Sequence, residues 1–376
     1  MKRPPTTSPW RRTSRPIVDK GRNTTTDNQG GGSLSLVHSV ALLAAVATFL
    51  LIVVGGLVTS KGAGMSVPDW PTTYGYNMFL FPYSKWVGGI FWEHSHRLLA
   101  TGIGLITLIL ATVVFLKEKR SWVRWLAVAA VVGVILQGVL GGLRVTLYKD
   151  QLGIFHALLA QSFFGLLLVM TAITGRGFLS GSWFQDRAVA SLRWLVLAGL
   201  LLTYFQLGVA ATIRHQHAPL AIRDFPAAYG QFIPDLSPSA VDRINAERAH
   251  DNIASVTAWQ ILLQLIHRGG AVALLLVVLA VSYFSVKITP LGHWMRSWSL
   301  LWVGGILLQI LLGGITIWTN KAADVATAHM ALGALLTGFS ILFTFRLFCA
   351  ASNMSSRNEE EECTMMTSST TRHSIA

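Results

Sequence analysis

A chain of 376 residues that is 52% hydrophobic and 12% charged is too apolar for an ordinary soluble domain. Its net charge of +13 raises nucleic-acid binding, but the basic residues gather in the N-terminal tail (Lys2, Arg3, Arg11, Arg12, Arg15, Lys20, Arg22) and at Lys117, Lys119, Arg120 and Arg124. That is the positive-inside bias of a multi-pass membrane protein. It argues against a nucleic-acid partner and places both termini on the cytoplasmic or matrix side.

Residues 1–33 are rich in Thr, Ser, Pro, Gly and Arg without apolar periodicity and read as a disordered basic tail. Eight apolar runs follow, at 36–58, 98–116, 123–143, 154–173, 192–211, 261–286, 300–318 and 326–348, each close to the ~20 residues that a span requires. The first is too long for a removable signal peptide and lacks its cleavage pattern. All eight are expected to be helices, because lipid offers no partner for open backbone and the alternation of a membrane barrel is absent. Residues 176–191 form an inner linker. The long connection after the fifth run is expected to hold a short surface helix near 239–250, and 349–376, with the acidic run Glu359 to Glu362, reads as a second disordered tail. The two cysteines, Cys349 and Cys363, fall at this end and indicate neither a disulfide nor a thiolate metal site.

The second half of the chain repeats the first. Asp69-Trp70-Pro71-Thr72-Thr73-Tyr74-Gly75 returns as Asp224-Phe225-Pro226-Ala227-Ala228-Tyr229-Gly230, and Gln137 with Gly141-Gly142 returns as Gln309 with Gly313-Gly314. His96-Arg97 matches His267-Arg268, and His156 matches His329 at nearly the same separation. Shared hydrophobicity does not reproduce such polar positions, so the expected fold is an all-α membrane protein with two duplicated four-helix bundles, 34–175 and 192–348. An even number of spans per repeat relates the bundles by a pseudo-two-fold axis along the membrane normal. The glycine pairs allow close approach of a helix or a flat ligand.

Ionisable side chains in apolar spans mark functional sites, and His96, His156, His267 and His329 stand near the starts of the second, fourth, sixth and eighth runs. Each half could place a haem iron between two imidazoles. Arg97 and Arg268, next to two of them, are suited to haem propionates at the membrane surface. Glu93 lies three residues before His96, on the same helical face, where the second half has Gln264. A carboxylate takes a proton and an amide does not, so the difference assigns chemistry to the first half; Glu93 also stands where it can pair with Arg97. His38, His94, His215, His217, His250 and His293 fall off the pattern and read as structural or solvent-facing. His215 and His217 stand near the end of the fifth run, where they could touch a cofactor edge, and a copper site there is a weak reading.

Glu93-His94-Ser95-His96-Arg97, the loop Gly64-Met65-Ser66-Val67-Pro68-Asp69-Trp70, Gln137 with its glycine pair, His156, His267-Arg268 and His329 together resemble the haem A synthase family over residues 36–348. The resemblance implies oxidation of a methyl group of haem O to the formyl group of haem A, in the bacterial cytoplasmic membrane or the mitochondrial inner membrane. It further implies a resident haem b on His267 and His329, substrate haem O at His96 and His156, and Glu93 as the catalytic carboxylate. Haem O would come from a haem O synthase, electrons would leave to an acceptor, and a homo-oligomer is compatible. Some members carry a cysteine pair in the first outer loop; between Thr59 and Lys85 this chain has none. A two-haem b-type electron-transfer cytochrome would keep the same four histidines, whereas a transporter would need polar groups near the midplane, which these spans lack.

Overall fold

The computed structural model describes the backbone of residues 29–373 apart from 185, 187 and 217, and the side chains of 36–352 apart from these and 188. Of the disordered tail expected over 1–33, residues 1–28 lie outside the described residues, as do His217 and the side chains of Glu359 to Glu362 and Cys363, whereas the backbone of 29–33 is already helical and opens α1. Eight helices are long and apolar enough to cross a membrane: α1 (Gln29–Ser60), α2 (Gly88–Lys117), α3 (Ser121–Thr146), α4 (Leu152–Ile173), α6 (Arg193–His215), α8 (Ala258–Ile288), α9 (Trp294–Trp318) and α10 (Ala323–His373). The short α5 (Arg176–Leu179) opens the linker, and α7 (Pro238–His250) is the surface helix expected near 239–250.

Local chemistry sets the ends. The Ser237 hydroxyl accepts from the Ala240 N–H and Pro238 occupies the first turn of α7; Thr257 and Gln260 form a reciprocal capping box at the start of α8. Several helices overrun their apolar runs, since a nucleated helix gains a hydrogen bond for each residue added. Thus α2 begins at Gly88 and α8 at Ala258, so His96 and His267 sit well inside helices. For the same reason α10 runs on to His373 where a disordered tail was expected from 349, although its apolar span closes at Ser352.

Helices α1, α4, α6 and α10 pack together at the centre. The α10 span is the most enclosed, 56% buried against 17% for α3 and α9. Small residues bring this centre close: Ile341 fills the space beside Gly165, and Leu168 and Phe164 that beside Gly338. One core gathers around Leu110, Val114, Ala127, Leu167 and Met170, another around Val278, Val281, Met295, Trp302 and Phe343. Leu105, Leu276 and Leu301 point outward, as a lipid-facing surface requires. Away from the Asp-aromatic-Pro loops, Asp186 of the linker accepts from the Trp294 indole N–H at 2.8 Å and pairs with His293, while the Arg346 guanidinium lies 3.6 Å from the centre of the Trp294 ring.

Candidate functional site

Both Asp-aromatic-Pro loops close on their own aspartate. Asp69 accepts the N–H groups of Tyr74 at 2.7 Å and Gly75 at 2.8 Å, and Asp224 those of Tyr229 at 2.8 Å and Gly230 at 2.9 Å. Each Tyr-Gly pair has positive φ, 49° and 76° in the first loop and 53° and 75° in the second, a cost for tyrosine that the carboxylate bonds offset. The tyrosine hydroxyls donate to Ser66 O and Ala221 O. Burial alone would raise the Asp69 carboxyl, but the bonds from Gly75, Thr72 and Tyr74 outweigh it and hold the group below its ordinary value. A depressed folded-state pKa contributes stability above the unfolded value and loses it as pH falls through the folded one. Asp69→Asn is therefore expected to lower the thermal midpoint at neutral pH, with the gap from wild type closing below about pH 4. A gap that stays constant on acidification would show that the loop does not depend on this charge.

The glycine pairs divide two tasks. Next to Gly142 stands the Trp70 ring, which a Cβ there would meet at 2.4 Å, and next to Gly314 the Phe225 ring, at 3.0 Å. The first glycine of each pair borders an imidazole instead: a Cβ on Gly141 would meet His156 Cε1 at 3.4 Å, and one on Gly313 would meet His329 Cε1 at 3.3 Å. A glycine absent from the duplicated pattern, Gly55 of α1, does the same for His96, whose Cε1 would stand 2.9 Å from its Cβ. Backbone anchoring completes the seats. Gln137 donates to the His156 carbonyl at 3.1 Å, Gln309 to that of His329 at 3.0 Å, and Gln206 to that of His267 at 2.8 Å. Gln206 and Gly55 lie outside the duplicated strings, so the repeat did not mark them, although a glutamine inside an apolar run is itself a signal.

His96 is within electrostatic reach of His156, and His267 of His329. In all four the Nδ1 is buried without a hydrogen-bond partner, which a protein tolerates where a ring is reserved for something else. Among the described residues no group of three metal-ligating side chains converges, so the histidines stand two by two. This donor set fits a haem: two imidazoles per site, set among apolar helices, with three of the four rings given room by a bordering glycine.

Glu93 and Arg97 form a clasp beneath the first loop. Arg97 donates to Asp69 O at 2.6 Å, Thr72 O at 3.2 Å and Val67 O at 2.7 Å, and pairs with Glu93 Oε1 at 2.8 Å. The other carboxylate oxygen accepts the Val67 N–H at 2.9 Å, and Glu93 is only 5% exposed. In the second half Arg268 donates to Ala227 O and Asp224 O, while Gln264 donates to Ala218 O and Pro219 O. The guanidinium groups expected to face propionates thus hold loops. The Glu-to-Gln difference follows loop polarity: one loop presents an N–H to the helix, the other two carbonyls.

The remaining histidines are occupied elsewhere. His94 pairs with Thr73 Oγ1 and packs against Phe81 and Trp86, and His38 pairs with Thr171 O. His215 Nδ1 lies 3.2 Å from Asp150, which also binds Arg144; this employment speaks against a copper ligand.

The chain is thus an all-helical multi-pass membrane protein that carries, in each half, two histidines whose Nδ1 atoms are buried without a partner. The family model described as COX15-CtaA, cytochrome oxidase assembly protein, matches residues 38–341, and the chain belongs to that family. Relatives named heme A synthase align along most of it. That of Shewanella oneidensis is 25% identical over 331 residues, 82% of this chain and 96% of the relative. That of Caulobacter sp. (strain K31) is 27% identical over 342 residues, 81% and 93%, and that of Shouchella clausii is 25% identical over 251 residues, 66% and 75%.

Proposed function

We propose that this chain acts as a haem A synthase, oxidising a methyl group of haem O to a formyl group for terminal oxidase assembly. The observation that carries the reading is the pair of imidazoles in each half with Nδ1 buried and unpartnered, three of the four bordered by a glycine, in a member of this family. In this reading His96 and His156 hold the substrate's iron and Glu93 accepts protons at the adjacent helical face. His267 and His329 hold a resident haem b, which supplies a one-electron relay when bound. Arg97 and Arg268 fix the loops that close each site against water.

A second reading, a two-haem electron-transfer cytochrome, draws on the clasp: loop polarity alone accounts for Glu93 opposite Gln264. Pigment extraction separates the two. Cells supplying haem O and expressing the chain are expected to yield haem A, identified by mass, with hydroxylated haem O as a minor species. Recovery of haem O and haem b unchanged would leave the cytochrome standing.

Both termini are placed on the cytoplasmic or matrix side and the Asp-aromatic-Pro loops on the opposite face, from the basic bias alone. With the native cysteines replaced, Lys119→Cys should resist a membrane-impermeant thiol reagent in intact cells. Labelling there from outside would invert the topology.

A further inference from the structure

Arg97 is engaged by the first loop and Glu93, and Arg268 by the second loop with its Nε left unpartnered, so the anionic groups of a bound tetrapyrrole could also draw on other cations. Three are candidates: Arg144, Arg214 and Lys321. Arg144, three residues beyond the Gly141 that borders His156, has its guanidinium nitrogens 3.1 and 3.2 Å from where a Cβ on Gly64 would lie, and its side chain is 17% exposed. Arg214, on α6, reaches across to α1, donating to Gly56 O at 2.6 Å and to Ser60 Oγ at 2.9 Å. Gly56 adjoins the Gly55 seat of His96. Ser60 Oγ also accepts from Thr327, two residues before His329, so Arg214 touches the surroundings of a histidine in each half. Lys321, in the turn before α10, lies within electrostatic reach of Arg214, and Arg214 of Arg144; burial and Arg214 together hold the Lys321 ammonium below its usual value.

The charges do not balance. Asp150 neutralises Arg144 at 2.6 Å and pairs with His215, whereas the described contacts of Arg214 are neutral oxygens. Among the described residues neither Arg214 nor Lys321 has a carboxylate partner. Clustered cations withdrawn from water without counter-charge are costly, and a ligand that brings carboxylates removes that cost. Lys321 also lines a cavity of about 300 Å³ with Asn320, Gln260 and Arg248.

We propose that Arg144 and Arg214, with Lys321 behind them, form a carboxylate-binding strip shared by the two histidine pairs, taking the propionate groups of the tetrapyrroles seated there. The inference rests on the haem reading of the pairs. Full-length protein purified from haem-limited cells is titrated with haem b and, separately, with its dimethyl ester, which keeps the ring and iron but lacks the charges. Wild type is expected to prefer haem b by about tenfold or more, and Arg144→Gln and Arg214→Gln each to reduce affinity for haem b about tenfold, with affinity for the ester unchanged. Arg214→Lys, which keeps the charge, should retain part of the preference. Equal affinity of wild type for the two forms, or a glutamine variant that weakens both alike, overturns the strip while leaving the histidine sites standing. Failure of wild type to bind either form in a low-spin state overturns the haem reading and the strip with it.

Discussion

Replacing His267 or His329 by alanine is expected to strip most of the tightly held haem from the purified protein, or to leave the remainder high-spin. The His329 ring borders Gly313, Gln206 and Gln309 hold the carbonyls of His267 and His329, and both Nδ1 atoms are buried without a partner. Losing either imidazole would remove one of the two side chains proposed to hold the haem. Groups one shell beyond a metal ligand already change affinity by about 10–100-fold, so loss of a ligand itself should cost at least that much. The measurement is haem content and the low-spin absorption spectrum per mole of protein. Full low-spin haem in both single variants would remove the second pair from the haem reading.

Glu93→Gln is expected to lower haem A formation by ~10²–10⁴, the range for loss of a positioned acid or base, while bound haem is retained. Oxidising a methyl group removes protons as well as electrons, and Glu93 is a buried carboxylate on the face of α2 that carries His96. The clasp gives the substitution a second effect. An amide offers one accepting oxygen where the carboxylate offers two, so either the Val67 N–H or the Arg97 guanidinium would face an N–H donor. The two effects part experimentally. Product lost with haem content and thermal midpoint intact identifies a proton acceptor, whereas product, haem and midpoint lost together identify a loop clasp. Haem A made at the normal rate would demote Glu93 from the chemistry altogether.

The spans were legible because apolar runs of membrane-spanning length have few alternatives, and the four histidines because an ionisable group in such a run is conspicuous. The two loops were legible as a repeated string, though not as structures. What a string cannot display is a partner made of backbone. The carbonyls that take up Arg97 belong to Val67, Asp69 and Thr72, and no side chain there advertises them, so the guanidinium was matched to the anion that chemistry suggested. Loop polarity was hidden for the same reason, and with it the structural logic of Glu93 opposite Gln264. The glycine pairs looked like one feature and serve two, since neighbouring residues of a helix point in different directions. Helix ends ran past the hydropathy windows because hydrogen bonding, not apolarity, decides where a helix stops.

Arg214 reaching across to α1 has a bearing on the order of synthesis. A ribosome delivers α1 to α4 to the bilayer well before α6 and α10. Until those later helices arrive, Gly56 O and Ser60 Oγ have neither Arg214 nor Thr327 to receive, and the space beside Gly56 lacks the Met330 side chain that fills it. The wall next to the His96 seat is therefore completed only by α6 and α10, which follow α1 to α4 in the chain. Closure of that wall is timed by the insertion of these later helices rather than by the appearance of His96 itself.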